Sequence, residues 1–217
     1  MKKLFNNYKN LNTEDKTMLF LIFTTIGNIL LSIVKFILSV VLPSLWFFVN
    51  ALFMVVLSFV RFWSIRDYGK SRNKDEEIKQ EIGYRNYLKN GILLIILGIM
   101  YFFVNVYIYF KGTNTTMHEY LTYLVALDAF WSIGYSIYGM AKYKRNSSPI
   151  LKAVKLTNFA NALTSIMLTQ IVLLDTYASE YNLTSINGYT GMGVSLIIII
   201  LGLYMIINIQ EILNDNN

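Results

Sequence analysis

The sequence contains no cysteine, which excludes disulfides, thiolate metal sites and cysteine nucleophiles and leaves the redox compartment open. It has two prolines and one histidine in 217 residues. That histidine, His118, falls outside every apolar run, at the edge of a connecting segment, where a lone histidine reads as an ordinary surface residue. No HExxH pattern, no G-x-S-x-G elbow and no glycine-rich phosphate loop occurs, so enzymatic chemistry is not expected and no cofactor is implied. The start, "MKKLFNNYKNLNTEDKT", lacks a short apolar stretch with a small-residue cleavage site, so no cleaved signal peptide is expected.

What the chain has in quantity is apolar sequence: 55% of its residues are hydrophobic. A hydrocarbon layer of about 30 Å needs some 20 helical residues at about 1.5 Å each. Six runs meet that length, at about 17–41, 44–64, 91–110, 119–141, 150–174 and 189–210. Barrel strands would be shorter and would alternate in polarity, so the runs read as helices. The expected fold is an all-α membrane protein, one domain over residues 1–217, built as a six-helix bundle. Residues 65–90 read as a charged cytoplasmic loop, with a short helix over 71–82 as the alternative for that part of it.

Lysine and arginine counts set the expected orientation. The N-terminal tail carries Lys2, Lys3, Lys9 and Lys16. The 65–90 segment carries Arg66, Lys70, Arg72, Lys74, Lys79, Arg85 and Lys89. Between the fourth and fifth runs lie Lys142, Lys144, Arg145, Lys152 and Lys155. The opposite side has Lys111 alone, so both termini are expected in the cytoplasm. The net charge of +6 then reports topology and contact with lipid headgroups, and no nucleic-acid partner is expected. Frequent Asn, Ile, Lys and Tyr suggest an AT-rich, bacterial genome and hence a cell-membrane location.

Polar groups in hydrocarbon are costly and normally face protein or a cavity. Those inside the runs are Asn28, Lys35, Asn50, Arg61, Asn105, Asp128, Thr157, Asn158, Asn161 and Gln170. Arg61 lies near the cytoplasmic end of the second run and is expected to snorkel to headgroups. Lys35, toward the outer end of the first run, can snorkel as well. Asp128 is the one carboxylate near the middle of a run. It reads as a proton relay, a cation ligand, a neutralised structural acid or the ion-pair partner of Lys35. The asparagines can also serve as hydrogen-bond glue between helices.

One word is nearly repeated. Residues 48–52 read "FVNAL" and residues 159–163 read "FANAL", in the second and fifth runs. With "TIGNILLSIVKFILSVVLPSLWFFVNAL", "RNSSPILKAVKLTNFANALTS" and "GMGVSLIIIILGLYMIINIQEIL", the pattern resembles the transmembrane domain of the cation diffusion facilitator family. In that family the second and fifth helices each present two metal ligands four residues apart, which share a helix face. The resemblance puts Asn50 and Met54 at one pair of positions and Thr157 and Asn161 at the other. The family's charged ligands are thus replaced by neutral residues, and its C-terminal cytoplasmic domain has no counterpart after "EILNDNN". The resemblance implies an N-in, C-in bundle and a homodimer or a membrane-protein partner. It also implies divergent cation transport with a degenerate metal site, Asp128 and Lys35 serving as proton or ion-pair residues. The bound metal stays unspecified. The alternative implied role is a non-transporting relative acting as a structural or regulatory partner.

Overall fold

The computed structural model describes residues 13–41, 45–111, 119–142, 148–177 and 184–214. His118 and the basic residues Lys2, Lys3, Lys9, Lys144 and Arg145 lie outside the described residues. Six helices account for nearly all of the rest: α1 Thr13–Val41, α2 Leu45–Ser71, α3 Glu76–Lys111, α4 Glu119–Lys142, α5 Pro149–Tyr177 and α6 Thr184–Asn214.

The stretch expected as a loop over 65–90 is mostly helical. Helix α2 continues to Ser71 and α3 begins at Glu76. The residues of this stretch explain the difference. Glu, Lys and Gln dominate the start of α3 and are good helix formers. Glu76 and Glu77 sit in the first turn and Lys111 in the last, each favourable to the helix dipole. Arg85 and Lys89 are exposed, while Gly83, Asn86, Tyr87 and Asn90 between and beside them are buried.

Among the described residues, five helices, α1, α2, α3, α5 and α6, are long and apolar enough to cross a membrane. The surface agrees with that setting: Phe23 is 71% exposed, Val40 67% and Phe110 77%. Side chains of this kind distributed over the outside of a helical bundle suit lipid and would be an aggregation hazard in water. The protein is therefore a membrane-embedded helical protein. Helix α4 is not among the five. Four tyrosines and Asp128 lower its hydropathy.

Helices α2, α3, α5 and α6 form the interior, while α1 packs chiefly on α2 and α4 chiefly on α5. The most extensive interface joins α3 to α6. Small residues make it possible. A Cβ at Gly202 would lie 2.7 Å from the carbonyl oxygen of Gly91, and one at Gly98 would lie 3.1 Å from the backbone nitrogen of Ile199. A Cβ at Gly191 would collide with the side chains of Asn105 and Met167. Gly91, Gly98 and Asn105 recur every seven residues, two helical turns, and so form one stripe down α3. Between α2, α3 and α5, Tyr101 packs its ring against Trp46 and Phe53 at 6.4 and 5.7 Å. Its hydroxyl donates to Met167 Sδ at 3.4 Å.

Candidate intramembrane polar site

The α1–α2 hairpin is joined by polar contacts at three depths. At the end that carries most of the basic residues, Asp15 accepts from Tyr68 Oη at 2.9 Å and from Arg72 Nη2 at 3.0 Å. Deeper in, Arg61 is 2% exposed and meets Asn28. With the Asn28 amide turned so that its oxygen faces the guanidinium, Oδ1 accepts from both terminal nitrogens, Nη2 lying at 3.1 Å. The expected snorkelling of Arg61 is thus corrected. Helix α2 runs ten residues past Arg61 to Ser71, so the side chain starts about 15 Å from the helix end and turns inward to α1.

The third contact is the deepest in charge. Lys35 Nζ donates to Asn50 Oδ1 at 3.0 Å and to Asp128 Oδ2 at 2.8 Å. The two charged side chains are only 5% and 13% exposed. Lys35 therefore points into the protein and not to headgroups. Each component follows from its helix. Lys35 is buried together with Ser32 and Ser39, three or four residues away on the same face of α1. Asp128 lies between Val125 and Ala129, the buried stripe of α4. Asn50 comes from α2 and belongs to the buried set that includes Phe47, Ala51 and Met54. Helices α1 and α4 are not among the pairs that pack extensively on one another, so the ion pair ties together two peripheral helices.

The four positions that the resemblance singled out are all buried: Asn50, Met54, Thr157 and Asn161 are 1%, 1%, 0% and 4% exposed. Their helices, α2 and α5, are in contact. Two of them are hydrogen-bonded elsewhere. Asn50 Oδ1 is taken by Lys35, and Thr157 Oγ1 donates to its own helix at Ala153 O, 2.9 Å away. Asn50 Nδ2 and Asn161 Oδ1 have no hydrogen-bond partner, so the two asparagines are not joined through those atoms. On α5, Asn158 Oδ1 and Ser165 Oγ share that condition. Asn158, Asn161 and Ser165 are spaced three and four apart, so they lie along one face of α5. No group of three or more His, Cys, Asp or Glu side chains suited to a metal ion occurs among the described residues.

No family model matches the chain, and no curated protein is similar to it by sequence.

A second buried network was not foreseen. Asn86 Nδ2 donates to Asp67 Oδ2 at 2.8 Å, and Asn90 Nδ2 donates to Asn86 Oδ1 at 3.0 Å. Ser64 Oγ donates to Asn86 Oδ1 at 3.1 Å and accepts from Asn90 Nδ2 at 3.2 Å. It locks α2 to α3 at the basic end. The available signal was the i, i+4 spacing of Asn86 and Asn90 within a run of helix formers, masked by the surrounding charges.

Proposed function

We propose that the protein is a membrane transporter of the cation-efflux type in which Lys35 holds, at rest, the oxygens that a transported cation uses. The observation that carries this reading is the buried contact of Lys35 Nζ with Asp128 Oδ2 at 2.8 Å and Asn50 Oδ1 at 3.0 Å. Ionisable groups inside membrane spans are costly and mark ion paths. A monovalent cation that reaches Asp128 and Asn50 takes the place of the ammonium, and charge balance is kept when one proton leaves the site for each such cation that binds. The acceptors are a carboxylate and an amide oxygen, which suit hard cations and not zinc or copper(I). Met54 and the α5 face of Asn158, Asn161 and Ser165 border the route in this reading, the latter offering polar atoms with free hydrogen-bonding capacity.

The reading includes α4 as a sixth span and both termini in the cytoplasm of a bacterial cell. Leu124, Leu127, Phe130 and Trp131 of α4 are exposed apolar side chains, as a lipid-facing helix requires. Because the chain lacks native cysteines, Tyr120→Cys and Ser148→Cys can be labelled on a clean background. Labelling of the two from the same side of the membrane would remove the sixth span.

The decisive experiment is flux in proteoliposomes carrying an internal pH dye. Sodium, potassium, magnesium and manganese are tested beside zinc and copper(I). The expected result is a proton signal on addition of a hard cation, abolished by Asp128→Asn. One observation favours a second reading: Lys35 already fills the oxygens of Asn50 and Asp128, as it would in a fixed strut. Folded protein that is silent toward every cation would leave that reading, a non-transporting membrane partner.

A further inference from the structure

A cavity of about 680 Å³ opens between α2 and α3 at the basic end of the bundle. Its α2 wall is Trp63, Arg66, Asp67 and Lys70, spaced three, four and seven residues from the first, one face of the helix. Its α3 wall repeats the device, with Arg85 and Lys89 flanked by Ile82 and Ile92. Four cations thus converge on one cleft. The two carboxylates of the lining, Asp67 and Glu81, leave a net positive charge. Asp67 is moreover engaged by Asn86 Nδ2 at 2.8 Å. Among the described residues, Arg66, Lys70, Arg85 and Lys89 form no ion pair with either acid.

The cleft is polar at one end only. Trp63 and Ile92 lie toward the middle of their helices and are 43% and 44% exposed. Beyond them the outer surface of the same two helices continues as Phe59, Phe62, Ile96 and Ile99, all exposed. A cationic cleft that runs into an apolar surface matches a ligand with an anionic head and hydrocarbon tails. Basic pockets between membrane helices on the cytoplasmic side recognise such headgroups.

We propose that this cleft is a binding site for an anionic phospholipid, its phosphate held by Arg66, Lys70, Arg85 and Lys89 and its chains lying along Trp63 and Ile92. The buried Ser64–Asn86–Asn90 network behind the cleft fixes the spacing of the two walls, so the site is preformed. The proposal is independent of transport.

The test is retention of lipid by the full-length protein, purified from nanodiscs of mixed phosphatidylglycerol and phosphatidylcholine and read by native mass spectrometry. Wild type is expected to retain phosphatidylglycerol selectively. The double variant Arg85→Gln with Lys89→Gln removes two cations from exposed positions and should weaken retention by roughly thirtyfold, about fivefold per charge. Lys74→Gln with Lys79→Gln makes the same change in net charge outside the cleft and should leave retention as it was. Equal losses in both double variants would reduce the effect to diffuse surface charge and overturn the site. Displacement of the lipid by millimolar inorganic phosphate would overturn the lipid assignment in favour of a free anion. No selectivity in wild type would overturn both.

Discussion

The α3–α6 and α1–α4 junctions are opposites. The first is the most extensive helix interface in the molecule and is built from glycine, shape and backbone approach. The second has little backbone packing and is tied by a buried charge pair, Lys35 with Asp128. Close van der Waals packing has one good geometry and resists motion. A charge pair is held in place as long as each partner lacks a better one, and a proton or another cation can supply one. The comparison therefore separates a fixed seam from a tie that can be released. In the proposed transport reading, movement belongs at the α1–α4 side, with α3–α6 as the frame.

The largest effect is expected where the tie is half removed. Lys35→Met strands the Asp128 carboxylate at a buried position, a change that costs about 3–5 kcal/mol when one partner of a buried pair is lost. Asp128→Leu strands the ammonium in the same way. The double variant removes both charges and should recover most of the loss. Equilibrium unfolding in detergent, run as a double-mutant cycle, reads the coupling directly. Single-variant losses that simply add in the double would mean that the two side chains do not act as a pair.

The seam should respond to volume and not to charge. Gly202→Ala sets a methyl group 2.7 Å from the Gly91 carbonyl oxygen, with backbone on the opposing side. Overpacking of that kind costs about 1–3 kcal/mol. Gly193→Ala, about two and a half turns nearer the start of the same helix, meets nothing within 4 Å. It should be neutral or stabilising by up to about 1 kcal/mol, since Ala is the better helix former. If thermal unfolding shows the two alanines to be equivalent, the close approach of α3 and α6 is not what holds the seam.

The two junctions also differ in how far the sequence disclosed them. Apolar length gives five of the helices as spans, because hydrocarbon thickness is a hard constraint. The pairing of Lys35 with Asp128 was one of four open readings of Asp128, and nothing in the chain ranks them, since contact across 93 residues is a property of the packing. Arg61 was misread because charge near residue 64 looks like a helix end, whereas α2 continues to Ser71. The start of α3 was read as loop for the same reason. Its charges hide the buried Gly83, Asn86 and Asn90 from any hydropathy average. The seam is only partly legible: glycines 188, 191 and 193 lie close together in α6, and the structure gives close packing to the first two and open space to the third. Its other half, the seven-residue recurrence of Gly91, Gly98 and Asn105, is readable in principle but has meaning only once α6 is known to lie opposite.

The smallest expected effect tests how little the seam depends on polar contacts. Asn105 Nδ2 donates to Tyr101 O at 2.6 Å on its own helix and reaches Ser195 Oγ across the interface at 3.4 Å. The Ser195 hydroxyl is already committed, donating to Gly191 O at 2.6 Å. The cross-helix bond is therefore long and shared, and Ser195→Ala should cost about 0.6 kcal/mol, near the average for hydrogen bonds between membrane helices. Measured beside Gly202→Ala, it gives the ratio of polar to steric contributions within one interface. A Ser195→Ala loss larger than the Gly202→Ala loss would invert the comparison. The seam would then be a polar contact in which glycine merely lets the hydroxyl and amide meet, and α3–α6 would share the chemistry of α1–α4.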